Sequence, residues 1–193
     1  MIVKQLTEGE YKKLSFKYGH ALKNAMADVS NIVDDFNNRG RVVVHSVSSR
    51  IKSFESLNEK IARKGVGVDK IFDIAGIRIV VLFEDDISLI CQALEEVFFY
   101  MSKDDYLTNP KPNGYRGVHY TVMVNTLVNG MVKKVPVEIQ IKTALADALW
   151  SMEHVVKYKN NNPDPDAENH ISEAAERVTE LEQIMIKFRD YTI

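Results

Sequence analysis

The stretch Ile74-Ala-Gly-Ile-Arg-Ile-Val-Val-Leu-Phe83 carries a single charge, at Arg78, and shows no alternation of polar with apolar positions. Short, β-branched and apolar throughout, it reads as a strand buried on both faces, and therefore central in a sheet. A strand of that kind needs paired neighbours on both sides and covering layers on both faces. Asp73 at its head and Arg78 within it are conspicuous, because an isolated charge is costly to bury.

Periodicity elsewhere supplies the missing layers. Tyr11, Leu14, Tyr18, Leu22, Met26, Val29, Val33 and Phe36 are spaced as one face of a long helix over residues 8–37, ending at Asn37-Asn38-Arg39-Gly40. Residues 41–49, with Val42, Val43, Val44 and Val47, read as a strand. Ser53 can cap a helix to about Lys64 that turns Phe54, Leu57 and Ile61 inward and gathers Ser56, Lys60 and Arg63 on another face, with Gly65 stopping it. Asp85 or Asp86 opens a helix to about Tyr100 whose stripe includes Ile87, Ile90, Cys91, Leu94 and Phe98. Residues 117–124 and 132–141 form strands around an Asn129-Gly130 turn, the pattern of an antiparallel hairpin. Thr143 caps a helix to about Tyr158, residues 160–165 break it, and a last helix over 167–191 carries Ile171, Ala174, Val178, Leu181, Met185 and Phe188.

With 193 residues there is room for one well-buried domain. The lone cysteine, Cys91, excludes an intrachain disulfide and packs in a core. The histidines lack metal-like spacing, so no zinc site is expected. A net charge of -2 argues against a surface that grips nucleic acid as a whole. The N-terminus has no apolar signal-like segment and no run approaches the roughly 18 apolar residues of a membrane span, so a cytoplasmic protein is expected.

Three clusters carry chemistry. In a strand, Glu138, Gln140 and Lys142 share one face while Val137, Ile139 and Ile141 share the other. If Glu138 converges with Asp73, the two carboxylates form a seat for Mg²⁺, the usual companion of a nucleoside triphosphate. Arg50, Lys52, Lys60 and Arg63 place four cations on two adjacent short elements, suited to a polyphosphate. The loop Asn109-Pro-Lys-Pro-Asn-Gly-Tyr-Arg-Gly-Val-His-Tyr120 restricts its backbone with prolines and brings Tyr115 beside Lys111, Asn113, Arg116 and His119, as in a platform for a base and its phosphates. Unrelated strand-edge acids, a solvated basic face and a tyrosine lid over the core would account for the same three patterns taken singly.

Taken together, Ser49-Arg-Ile-Lys-Ser-Phe-Glu-Ser56 with Lys60, Asp73-Ile-Ala-Gly-Ile-Arg78, Lys111-Pro-Asn-Gly-Tyr-Arg116 with His119, Glu138-Ile-Gln-Ile and Trp150-Ser-Met-Glu-His154 with Lys157-Tyr-Lys159 resemble the RelA/SpoT family of alarmone synthetases. The match runs from about residue 40 to 160. It implies an α+β fold: a nucleotidyltransferase-like mixed β-sheet core flanked by helices, with long N- and C-terminal helices. It further implies transfer of the β,γ-pyrophosphate of ATP to the ribose 3'-OH of GDP or GTP. The length is similar to that of the small, single-domain synthetases, which implies a homo-oligomer, with a tetramer favoured, and no hydrolase activity.

Carried over by position, the resemblance implies that Asp73 and Glu138 hold Mg²⁺ and that Glu138 assists deprotonation of the 3'-OH. Arg50, Lys52, Ser56, Lys60, Arg63 and Arg78 would bind ATP, with Arg50 and Arg78 flanking adenine. Lys111, Asn113, Tyr115, Arg116, His119, Gln140 and Lys142 would serve the acceptor, Tyr115 stacking on guanine. The chain departs from the family's common pattern at Phe54 for Pro, Gly117 for Ser and Lys142 for Arg. Lys142 gives up an arginine's bidentate fork. Two rival readings are a toxin-type relative that modifies tRNA 3' ends or adenine nucleotides, and an inactive nucleotide sensor; outside these, nucleic acid would enter only as a regulator.

Overall fold

The computed structural model describes residues 4–39, 44–159 and 166–190. The expectations for Gly40, Val42, Val43, the breaker at 160–165 and Tyr191 lie outside them. The described elements are α1 (Glu8–Asn38), β1 (Val44–Ile51), α2 (Phe54–Lys64), β2 (Ala75–Val81), α3 (Asp86–Val97), β3 (Tyr100–Asp105), β4 (Val118–Val128), β5 (Met131–Thr143), α4 (Ala144–Lys159) and α5 (Ala167–Asp190).

The strands form one sheet in the order β1-β2-β5-β4-β3. β2 runs parallel to β5 and antiparallel to β1, while β4 is antiparallel to both β5 and β3, so the sheet is mixed. The apolar run is interior, as its composition requires, with Ile77, Ile79, Val80 and Val81 all buried. One sheet face carries Ile77, Ile79, Val81, Tyr120, Val122, Val137, Ile139 and Ile141 into a core shared with Tyr18, Leu22 and Val29 of α1, Leu57 and Ile61 of α2, and Ile87, Ile90 and Leu94 of α3. Burying side chains of this size contributes about 1.5–3 kcal/mol each, which is what holds α1 along the sheet.

Local signals set the element ends. Thr7 and Glu10 form a reciprocal capping box at the start of α1. The Ser53 side chain accepts from Ser56 N–H at the start of α2, and Gly65, at φ 63°, ends that helix in the left-handed conformation glycine tolerates. Asn129 and Gly130 both take positive φ, 51° and 76°, which matches the twist of a tight hairpin.

Two expectations are corrected. The helix expected to reach Tyr100 stops at Val97; Phe98 extends the backbone, and Tyr100 begins the edge strand β3, which pairs with β4. Neither Asp85 nor Asp86 is seen capping α3 with its side chain: Asp85 stands at the N-cap without a capping hydrogen bond and is bonded by Arg189 of α5. The helically spaced Leu181, Met185 and Phe188 of α5 are exposed, and among its described residues α5 buries Ala175 and Glu182. None of the described helices is long and apolar enough to cross a membrane.

Candidate active site

The sheet face away from the main core carries the polar residues. Strand register places Arg50, Gly76, Glu138 and Thr121 in one cross-strand row, and Ser48, Arg78, Gln140 and His119 in the next. A β-carbon at Gly76 would meet nothing closer than the Glu138 carbonyl oxygen, at 3.9 Å, so glycine keeps open the floor between Arg50 and Glu138. Above it is a cavity of about 200 Å³ lined by Asp73, Arg78, Glu138 and Gln140 among others. A larger one, about 760 Å³, opens beside it between the end of β1 and α2, where Arg50, Lys52, Ser56, Lys60 and Arg63 line the wall with His154. Thus the predicted phosphate cations and the predicted carboxylates occupy adjoining cavities that share Arg50.

The carboxylates differ in their affinity for a proton. Asp73 Oδ2 accepts a short hydrogen bond from Lys60 and lies 3.3 Å from Lys52 Nζ. Burial opposes its charge, but the Lys60 bond and the two ammonium charges outweigh that and hold Asp73 below the usual carboxylate range. Glu138 goes the other way: burial, and then the Asp73 charge, raise it against a hydrogen bond from Gln140 Nε2 at 2.6 Å. A firmly ionised acid beside a readily protonated one is the division of labour of an electrostatic anchor and a base.

A divalent cation fits this pair in its donor chemistry: both are oxygen ligands, and a cation would offset the repulsion that raises Glu138. No group of three or more His, Cys, Asp or Glu able to hold a metal occurs among the described residues. Two carboxylates would leave most of the coordination shell to water and substrate oxygens, the usual arrangement for Mg²⁺ on a nucleotide.

The loop residues form a compact aromatic box. Asn113 Oδ1 accepts from Tyr115 N–H, and Gly114 N–H donates to the Lys111 carbonyl, closing the turn. Gly114 has φ 80°, and a β-carbon there would lie 2.6 Å from Ala175 Cβ of α5; Gly117 has φ 151°, and one there would lie 2.9 Å from the Ile141 carbonyl oxygen. This backbone therefore disfavours the serine common in the family at position 117. Tyr115 is not the open platform expected: it is 9% exposed, with Tyr106, His119 and Trp150 packed around its ring and Lys111 Nζ 4.8 Å from its centroid. Its hydroxyl and His119 Nε2 are 2.6 Å apart, and His119 Nδ1 is 3.8 Å from Glu138 Oε1. Burial, then the Lys111 and Lys142 charges, lower His119 to about 4, so it is neutral at pH 7.

Two expected acceptor contacts point elsewhere. Arg116 gives Nε and Nη2 to Glu84 Oε2, at 3.1 and 2.8 Å, a pair that ties the loop to the approach to α3. Lys142 is 4% exposed and its Nζ lies 3.0 Å from Asp147 Oδ1. Two neighbours escaped the sequence reading: Tyr106, half-buried with Lys111 Nζ 4.3 Å from its ring, and Asp147 in the first turn of α4. Tyr106 follows the unrecognised edge strand, and only the cross-strand contact brings it to the loop. Asp147 lies five residues beyond Lys142 across a strand-to-helix junction, a contact no single periodicity reveals.

A family profile described as a region found in RelA/SpoT proteins matches residues 49–163, the span that contains the loop, β5 and every residue lining the two cavities except Ser48. The chain belongs to the RelA/SpoT family. One RelA/SpoT relative, the GTP pyrophosphokinase YwaC of Bacillus subtilis (strain 168), is 34% identical over 187 residues, 92% of this chain and 89% of YwaC. Small alarmone synthetase 2 from Bacillus subtilis superposes with a TM-score of 0.86 at 33% identity, covering 94% of this chain and 98% of that one. Small alarmone synthetase 1 from the same organism, solved bound to its product pppGpp, superposes at 0.88 with 26% identity, over 95% and 98% of the two chains.

Proposed function

We propose that this chain is a GTP/GDP pyrophosphokinase, a single synthetase domain that transfers the β,γ-pyrophosphate of ATP to the ribose 3'-OH of GDP or GTP. The observation that carries the reading is the juxtaposition of Asp73 and Glu138, held in opposite protonation tendencies, beside the cation-lined cavity of Arg50, Lys52, Lys60 and Arg63. The names of YwaC and of the two synthetases, and the pppGpp bound to one of them, support the same chemistry.

In this reading the larger cavity receives the triphosphate of ATP, with Ser56 as a hydroxyl donor at its edge. Arg50, on the wall shared by both cavities, and Arg78, beside the carboxylates, flank the base. The acceptor enters from the loop side, its guanine against Tyr115 and Tyr106 once the Lys111 ammonium swings from their rings to the acceptor's phosphates, and Gln140 lines its path. Glu138 takes the proton from the 3'-OH as that oxygen bonds to the β-phosphorus; the bond from the β-phosphorus to the α,β-bridging oxygen breaks, and AMP leaves. Neutral His119 adds no positive charge beside Glu138 that would lower its affinity for a proton. A Mg²⁺ ion held by Asp73 and Glu138 would supply charge neutralisation on the phosphate oxygens.

The exposed Leu181, Ile184, Met185 and Phe188 on α5, and Met152, Val155 and Val156 on α4, are apolar surface of the kind assemblies cover, which supports a homo-oligomer, with a tetramer favoured. A cytoplasmic location, where both nucleotides are made, fits the activity. The purified protein is tested with γ-labelled ATP against GDP, GTP, AMP, ADP and deacylated tRNA in parallel. The expected result is label on the guanine nucleotides. Label on tRNA or adenine nucleotides alone would reject the acceptor assignment, and label on none would favour a sensor.

A further inference from the structure

Asp147 is absent from the roles above, yet it lies between two of their cations. Arg78 on β2 and Lys142 on β5 are diagonal neighbours on the polar sheet face, because Arg78 pairs with Gln140 and Lys142 stands two residues on. Like charges at that spacing repel, and the Arg78 charge is among the influences lowering Lys142, behind burial. Asp147 separates them: its Oδ1 is 2.9 Å from Arg78 Nη1 and 3.0 Å from Lys142 Nζ. The oxygen is buried and has no aligned hydrogen bond from either cation, so charge rather than hydrogen-bond geometry holds the cluster. The anchor itself is firm, since Thr143 Oγ accepts from Ala146 N–H and fixes the turn of α4 that carries Asp147.

Arg78 is the member that faces the cavity. Its Nη1 is committed to Asp147, and its Nε is buried without a hydrogen-bond partner, so the protein alone does not satisfy this guanidinium. A guanidinium held at Nη1 by a buried carboxylate, with its Nε enclosed, has few orientations open to it, and its flat face is a surface on which a purine stacks. Lys142, almost wholly buried, acts on the other side as counter-charge to the same carboxylate.

We propose that Asp147 is a positioning residue that sets the plane of Arg78 for the adenine of the donor nucleotide, with Lys142 as a structural cation and not a phosphate ligand. This deepens the pyrophosphokinase reading and rests on it.

The test is calorimetric, on the full chain with Mg²⁺ and no acceptor, so that no turnover enters. Two probes are titrated: α,β-methylene ATP, which has the base, and inorganic tripolyphosphate, which does not. Asp147→Asn is expected to weaken α,β-methylene ATP about tenfold and leave tripolyphosphate within twofold. Arg78→Lys, which keeps the charge and loses the plane, is expected to show the same selectivity, and the double variant to bind no worse than Arg78→Lys alone, since coupled residues are not additive. Equal weakening of both probes, no weakening of either, or additive losses in the double variant would overturn the proposal. Asp147→Ser makes the same comparison should the amide variant not fold, and an Arg78→Lys variant that weakens both probes equally, or neither, would remove the stacking role. Failure of the unaltered protein to bind α,β-methylene ATP would instead reject the pyrophosphokinase reading.

Discussion

Glu138 and His119 are near neighbours whose proton affinities are shifted in opposite directions, and each has a measurable signature. Glu138→Gln keeps the size and hydrogen-bonding shape of the side chain but cannot accept a proton, so turnover is expected to fall about 10²-fold or more, while calorimetry with α,β-methylene ATP shows binding retained. Unchanged turnover would remove Glu138 from the chemistry. His119 is lowered to about 4 from 6.5, so between those values the unfolded chain binds a proton the folded one refuses. Stability therefore rises with pH across that window and is lost as pH falls through it, by about 3 kcal/mol from this group. Urea melts from pH 4 to 7 should show a weaker pH dependence for His119→Gln than for the parent; equal slopes would contradict the buried neutral imidazole. Residue types alone pointed to Glu138, Asp73 and the Arg50 to Lys60 cations, because a charge amid apolar neighbours needs a reason. Arg116 and Lys142 have partners, Glu84 and Asp147, that are visible only after folding.

Between elements, the contact of the 109–120 loop with α5 matters most. Gly114 is where loop and helix touch, with a positive φ and Ala175 directly opposite. Gly114→Ala must both strain the backbone and push α5 away, so a loss of about 1–3 kcal/mol is expected in chemical denaturation. Adding Ala175→Gly should recover only the steric part, since φ stays positive. Full recovery would mean that the backbone there relaxes freely. Further along α5, Thr143 donates to the buried Glu182, and Arg189 bonds Asp85, so the helix is held to the end of β5 and the start of α3 as well as to the loop. Sequence periodicity located α1, α2 and the hairpin well, because capping residues and one buried face per element encode them locally. It failed at β3, whose Tyr100, Met101 and Ser102 carry no strand alternation and pair only because β4 offers an edge. On α5 the apolar spacing was real, but Leu181, Met185 and Phe188 face outward, and a small residue and a buried acid form the inner contact.

Across the molecule, the mixed sheet separates two tasks. Its apolar face, against α1, α2 and α3, supplies the stability, and its polar face, with one floor position left as Gly76, holds the reacting groups. Strand alternation and the register Gly76 to Glu138 put Arg78, Glu138 and Gln140 on one face once β2 and β5 are neighbours, whereas Asp73 precedes β2 out of phase with them, and the non-strand backbone at 71–74 brings it to the cavity it shares with Glu138. That neighbour relation is parallel and joins segments some sixty residues apart, which is why spacing alone left the pairing open and the joint pattern of blocks was needed. Pyrophosphate transfer requires that two phosphoryl groups move as one unit. The direct measurement uses ATP labelled at the β- or the γ-phosphorus in separate reactions with GDP, following the guanine product and the adenine by-product. The expected result is both labels on the guanosine 3'-position in equal amount, with one AMP released per product. Transfer of the γ-label without the β-label, with ADP released, would rule out attack at the β-phosphorus and with it pyrophosphokinase activity.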